Sequence, residues 1–135
     1  MEKIEHIGIA VKSLRDAIPV FEQLLGGKCY KTEEVSSEMV RTAFLAAGPN
    51  KIELLEPTHP DSVIAKYIDR KGEGLHHVAF AVADIEAEMS RLTNEGFTLL
   101  NAAPKKGADG KLVCFVHPRQ TSGMLTELCM DDPNA

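Results

Sequence analysis

The chain has 135 residues, with 15 Lys and Arg against 20 Asp and Glu, a net charge of −5, 44% apolar and 26% charged residues. A chain of this size buries roughly two-thirds of its unfolded surface and needs no disulfide to hold one core. The acidic balance, with no stripe of Lys or Arg, argues against nucleic acid and anionic membranes as partners. Met1, Glu2 and Lys3 lead into a short strand-like run, with neither a signal-peptide core nor a bilayer-length apolar stretch, so a cytoplasmic protein is expected. Cys29, Cys114 and Cys129 are odd in number and lack CxxC spacing, so buried reduced thiols are expected rather than a disulfide framework or thiolate zinc site.

Residues 3 to 11 alternate, Ile7, Ile9 and Val11 on one side and His6, Gly8 and Ala10 on the other, which is the period of a strand. Ser13 then stands as an N-cap before Leu14, Ala17, Ile18, Phe21, Leu24 and Leu25 at helical spacing, and Gly26-Gly27 ends the helix. Pro19 inside that run predicts a late start or a kink. Lys28 to Thr32, Val40 to Ala46 and Lys51 to Leu55 read as strands, with Gly48-Pro49-Asn50 as the turn between the last two. The first module, about residues 1–58, is therefore β-α-β-β-β.

A connecting helix is expected at about residues 60–72, and a second module at about 73–130, within one domain covering 1–135. Val78, Phe80 and Val82 alternate with His77, Ala79 and Ala81; Asp84 caps a helix to about Asn94, and Gly96 stops it. Phe97 to Leu100, Lys111 to Val116 and Met124 to Met130 supply the later strands, so the order repeats. Residues 131–135 are expected to fray.

EHIGIAV at residues 5–11 parallels HHVAFAV at 76–82, and KIELLEP at 51–57 parallels MLTELCM at 124–130. Each module thus carries one imidazole and one carboxylate at matching places: His6 and Glu53, separated by 47 positions, and His77 and Glu127, separated by 50. An α+β fold follows, in which two paired β-α-β-β-β modules curve into a half-open barrel with both small-residue faces lining one concavity. Taken singly, a strand His is ordinarily a core or surface side chain, and Glu53 alone an edge carboxylate. The repetition is what points to chemistry. A Glu in a largely buried strand costs several kcal/mol unless neutralised by a proton, a partner or a metal. Two imidazoles and two carboxylates form a donor set of intermediate softness, suited to a divalent ion with positions left open for Lewis-acid work.

The paired modules with His6, Glu53, His77 and Glu127 resemble the vicinal oxygen chelate superfamily, which includes glyoxalase I, ring-cleaving dioxygenases, antibiotic-resistance proteins and methylmalonyl-CoA epimerases. GEGLHHVAFAVADI at 72–85, PKKGADGKLVCFVHP at 104–118, GMLTEL at 123–128 and ELLEP at 53–57 are most similar to the epimerase pattern, over essentially the whole chain. The resemblance implies His6, His77 and Glu127 as metal ligands, with Glu53 where some epimerases carry Gln. It further implies a divalent ion such as Co, Mn, Ni or Zn, methylmalonyl-CoA as substrate, a homodimer, and proton transfer by Glu127. Some members carry a second acid–base glutamate where Thr42 stands here, leaving Glu33, Glu34, Glu38 or a metal-bound water as alternatives. A metal-dependent glyoxalase would use a similar ligand set. A dioxygenase would need only one carboxylate, and a noncatalytic binding protein on the same scaffold would need no complete set.

Other residues call for plainer roles. His76 points away from the His77 face, and His59 and His117, each before Pro, read as loop histidines. Lys105, Lys106, Lys111 and Arg119 surround the GADG turn, within reach of coenzyme A phosphates or simply solvated. No Ser or Cys stands in a context that would activate a nucleophile.

Overall fold

The computed structural model describes residues 1–135. Its elements run β1 (Lys3–Ala10), α1 (Leu14–Leu25), β2 (Lys31–Val35), β3 (Val40–Ala47), β4 (Asn50–Pro57), α2 (Val63–Lys71), β5 (Gly74–Ala81), α3 (Ile85–Asn94), β6 (Lys105–Lys106), β7 (Lys111–Val116) and β8 (Thr126–Asp131). This is the expected α+β pattern of two β-α-β-β-β modules joined by a helix. The chain forms two compact units, residues 6–76 in one and residues 1–5 with 77–135 in the other. The unit boundaries thus fall inside β1, between residues 5 and 6, and inside β5, between residues 76 and 77. Glu2 explains the exchange, because its N–H donates to the Ala81 carbonyl at 2.8 Å and ties the first residues to the end of β5.

Each unit repeats one topology. In the first, β2, β3 and β4 are antiparallel neighbours, and β1 lies parallel to β4. In the second, β6, β7 and β8 are antiparallel neighbours, and β5 lies parallel to β8. Period-two alternation gives every strand two different faces. In the first unit Ile9, Val11, Ala43, Leu45, Ile52 and Leu54 pack against Leu14, Ala17, Ile18 and Phe21 of α1. In the second, Val82, Cys114, Val116 and Leu128 pack against Ile85, Met89 and Leu92 of α3. Both helices therefore cover the face opposite the small residues of β1 and β5.

Local chemistry sets the helix ends. Ser13 caps α1 by accepting from Asp16 N–H, and Gly26 closes it in the left-handed region at φ 76°. The Glu56 carboxylate also accepts from Leu14 N–H at 2.7 Å, placing negative charge at the positive end of the helix dipole. Pro19 does not bring the late start that was one of the two expectations, because α1 starts at Leu14 and runs through it. Pro removes only one donor, and the apolar face against the sheet holds the helix on both sides of it. Asp84 caps α3 by accepting from Ala87 N–H, and the carboxylate of Glu88 is held below the usual range by the Arg91 side-chain hydrogen bond.

Other boundaries moved as well. The expected 97–100 strand is reduced to a single bridge between Leu99 and Val116, and β6 is a two-residue strand further on. Residues 28–30 lie outside β2, although Tyr30 N–H donates to Phe44 O at 3.0 Å. The expected fraying after residue 131 is limited by hydrogen bonds from Asp132 N–H to Gly110 O and from Ala135 N–H to Asp132 O. No helix is long and apolar enough to cross a membrane.

In the first unit α2 covers one end of the small-residue face, where Ile64, Tyr67 and Ile68 meet Ala10, Val40 and Leu55. Its N-cap Ser62 is fully buried and accepts from both Ile64 and Ala65 N–H, at 3.0 and 3.2 Å. Ser62→Ala is expected to cost about 1 kcal/mol and lower Tm by about 4 °C, because neither donor has water as a substitute. A Tm unchanged in a thermal melt would show that this cap does not hold α2. The thiols are equally testable: Cys114 and Cys129 are buried, Cys29 is half-buried, and burial pushes the Cys114 thiol up. An aromatic disulfide reagent is expected to modify Cys29 alone in native protein and all three after denaturation; rapid native modification of a second thiol would contradict the packing.

Candidate metal centre

The parallel pairing of β1 with β4 puts His6 opposite Lys51 and Gly8 opposite Glu53. His6, Gly8, Glu53 and Ala10 therefore share the face away from α1, and Gly8 leaves the space beside Glu53 free of a side chain. His6 Nε2 lies 3.3 Å from Glu53 Oε1. In the second unit β5 and β8 repeat this, with Ala79 opposite Glu127 and His77 one pleat away on the same face. His77 Nε2 lies 3.6 Å from Glu127 Oε1. All four side chains belong to buried residues, His6, Glu53 and His77 at 5% exposure and Glu127 at 6%. The structure thus brings His6 to Glu53 and His77 to Glu127, as the repeat predicts.

Both spacings are longer than a close charge-assisted hydrogen bond. A charged N–H···O bond closes to about 2.7–2.9 Å. Two donors each about 2.1 Å from one ion, at angles between octahedral and tetrahedral, stand about 3.0–3.4 Å apart. One pair lies within that interval and the other just beyond it. Imidazole nitrogen and carboxylate oxygen are also the donors a divalent ion of intermediate softness prefers.

Each carboxylate has an aromatic neighbour that was not singled out from the sequence. Phe44 on β3 is directly across from Glu53, and Phe115 on β7 is directly across from Glu127. Phe44 is 1% exposed, and Phe115 meets the His77 ring edge-on at 5.9 Å and 87°. Over each ring stands a lysine, Lys31 Nζ at 6.0 Å from the Phe44 centroid and Lys105 Nζ at 5.6 Å from that of Phe115. In each module the aromatic stands on the strand before that of the glutamate, and the match emerges only when antiparallel register is known.

The remaining candidates separate by face. Thr42, 1% exposed, shares the Glu53 face, and its hydroxyl donates to the Glu33 carbonyl at 3.2 Å. Glu33 is its cross-strand partner on β2 and so faces the same way, with its carboxylate 3.6 Å from Lys31 Nζ. Glu34 points to the other face, where Arg41 bridges it to Glu56 at 3.2 and 2.9 Å. Glu38 sits in the 3-10 turn of residues Ser36–Glu38. His76 meets Tyr67 edge-on at 4.9 Å, on the side away from His77. His59 and His117 act as turn caps, each Nδ1 accepting a backbone N–H two residues on, from Asp61 and Arg119 at 3.0 Å.

The family model of the glyoxalase/bleomycin resistance protein/dioxygenase superfamily matches residues 5–115. The chain is 34% identical to the ethylmalonyl-CoA/methylmalonyl-CoA epimerase of Cereibacter sphaeroides, covering 93% of this chain and 96% of that one. It is 40% identical to the uncharacterized protein YqjC of Bacillus subtilis, covering 96% and 92%. A variant of the Streptomyces coelicolor methylmalonyl-CoA epimerase, solved in complex with 2-nitronate-propionyl-CoA, matches with a TM-score of 0.92 at 34% identity, over 97% of this chain and 98% of that one. With its two modules, its matched His–Glu pairs and this full-length likeness, the chain belongs to the glyoxalase/bleomycin resistance protein/dioxygenase superfamily and is an isomerase of the epimerase type.

Proposed function

We propose that the protein interconverts (2R)- and (2S)-methylmalonyl-CoA in a metal-dependent reaction, with His6, Glu53, His77 and Glu127 together holding one divalent ion. The observation that carries the reading is the repeated buried His–Glu pair, at 3.3 Å in one module and 3.6 Å in the other. Its support from comparison is that the relatives named as epimerases act on acyl-CoA esters of this kind over nearly the whole chain length. Glyoxalase chemistry would use the same donors, but no observation here favours it.

The reacting carbon lies between a thioester carbonyl and a carboxylate, and removing its proton leaves an enolate. When bound, a divalent ion such as Co, Mn, Ni or Zn supplies Lewis-acid stabilisation of that charge. The protein's own residues do the rest. His6 and His77 contribute the two nitrogen donors of the set. Glu127 takes the proton from one face of the carbon or returns it there, as a carboxylate or carboxylic acid by turns. Gly8 and Ala79 keep the strand positions beside the two glutamates small.

The opposite face of the carbon needs a second acid or base. Thr42 is unsuited to it at neutral pH. Of the three upstream glutamates, Glu33 alone is in register with Thr42 on the Glu53 face, one strand further out, while Glu34 is engaged by Arg41 on the other side. Glu33 is accordingly the proposed second group, with the Lys31 ammonium 3.6 Å from its carboxylate. A homodimer, as the resemblance implies, is part of the same proposal and is checked by light scattering.

The test is to incubate metal-loaded protein with (2R)-methylmalonyl-CoA in deuterium oxide, with chelated protein as control. Metal-dependent α-deuteration together with the 2S isomer is expected; bound metal with neither product would discard the epimerase reading. Glu127→Gln is expected to slow both by at least about 100-fold, and Glu33→Gln by a similar factor, whereas Glu34→Gln and Glu38→Gln leave them unchanged. Normal turnover in Glu33→Gln would remove that residue from the mechanism. Replacing His77 with Ala is expected to weaken ion affinity more than about 10-fold by calorimetry, and equal affinity would place the ion elsewhere.

A further inference from the structure

The geometry points to Tyr67 as a positioning residue for the ligand His77: its ring is seated on the apolar core beside the first His–Glu pair, and its hydroxyl grips the backbone that leads into His77. The inference rests on the function proposed above and adds to it how one of the four ligands is aimed.

Three strands meet at this side chain. The Tyr67 ring packs against the cluster of Ala10, Val40, Leu55 and Ile64. Leu55 is two residues beyond Glu53 on β4, and Ala10 is two beyond Gly8 on β1, so the ring rests on the continuation of the face that carries His6 and Glu53. From the far end of the ring the hydroxyl donates to the Leu75 carbonyl on β5. The ring also meets His76 edge-on, at 4.9 Å and 85°. Tyr67, Leu75 and His76 all belong to the compact unit of residues 6–76, and His77 is the next residue along β5. A tyrosine suits this place because its body is apolar and its tip is a hydrogen-bond donor.

The chain entering β5 is held at several points around that bond. Gly72 N–H closes α2 on Ile68 O at 2.7 Å, and its φ of 83° turns the backbone away from the helix. The Glu73 carboxylate accepts from Lys12 N–H at 2.7 Å, which ties the turn to the end of β1. Past the ligand, Val78 N–H donates to Leu125 O at 3.1 Å, and the register with β8 runs from Val78 to Ala81. His77 lies between these anchors. Successive strand residues point to opposite faces, so seating His76 against Tyr67 fixes the rotation that sends His77 toward Glu127. A rotated Leu75 peptide would carry the imidazole out of its place 3.6 Å from Glu127 Oε1. Groups that orient a ligand from behind contribute to ion affinity without touching the ion.

The test compares Tyr67→Phe, which keeps the ring and removes only the hydroxyl, with Ser62→Ala, which loosens the same helix at its first turn and leaves the Leu75 contact in place. Chelated protein is titrated with Co(II) against a chromophoric chelator, and the visible absorption of the Co(II) protein and its Tm are recorded. Tyr67→Phe is expected to weaken Co(II) affinity by about fivefold and to change the Co(II) absorption bands, whereas Ser62→Ala matches the parent in both despite its lower Tm. Turnover of methylmalonyl-CoA at saturating metal is expected to show a lower kcat in Tyr67→Phe, with KM changed by less than about twofold. Parent-like Co(II) affinity or an unchanged Co(II) spectrum in Tyr67→Phe overturns the inference. An equal loss in Ser62→Ala overturns it too, since helix stability would then be the cause. If the parent binds Co(II) but does not epimerise, the epimerase reading alone is defeated, because affinity and spectrum still decide the role of Tyr67; a parent that binds no divalent ion defeats both.

Discussion

Burying a carboxylate inside a strand is the constraint around which each module is arranged. A Glu on a central strand loses its water, and the deficit is several kcal/mol unless something positive or protic stands beside it. The parallel pairing of β1 with β4, and of β5 with β8, supplies that neighbour by register alone. A His on the first strand, one pleat from a Gly or Ala, comes to 3.3 or 3.6 Å from the Glu of the last strand. A larger side chain at position 8 or 79 would stand directly beside the carboxylate, because Gly8 pairs with Glu53 and Ala79 with Glu127.

The rest of each module serves to fix that register. A one-residue slip of β1 against β4 would turn His6 toward α1 and Ile7 toward Glu53, exchanging a buried apolar contact for a buried polar one. The apolar faces against α1 and α3 therefore act as the energetic lock on the polar faces behind them. Capping contributes to the same end. Glu56 lies on the strand that carries Glu53, and its carboxylate binds the first turn of α1 and Arg41 at once, so the end of β4 is tied to the helix that covers its other side.

Much of this was legible in the sequence because it depends on short periods. Alternation assigned the faces of β1 and β5, and Ser13, Asp84 and Gly26 marked helix ends by the chemistry of unsatisfied backbone groups. The repeat then matched His6 with His77 and Glu53 with Glu127 without any knowledge of pairing. What escaped the sequence depends on which residues lie across from each other. Phe44 and Phe115 look like ordinary strand aromatics until antiparallel register sets them against the glutamates. Glu33, Glu34 and Glu38 looked equivalent until β2 was aligned on β3. The expected strand at residues 97–100 failed for a related reason: Phe97 and Leu99 pack into the α3 core, and hydrophobicity at that spacing reports burial without promising a ladder of hydrogen bonds.

The two modules also differ in ways that bear on how a repeated scaffold becomes an asymmetric catalyst. An epimerase must treat the two faces of one carbon with separate groups, so perfect duplication would be a poor design unless both glutamates did identical work. Here the surroundings of the matched glutamates diverge. Around Glu53 stand Thr42, with its hydroxyl spent on a backbone carbonyl, and the Lys31–Glu33 pair at the outer strand. Around Glu127 stand a half-buried Phe115 and a lysine on a two-residue strand held by a tight turn. The first module thus carries a carboxylate, Glu33, beside the lysine on its Glu53 face, whereas the lysine of the second stands on a short hairpin.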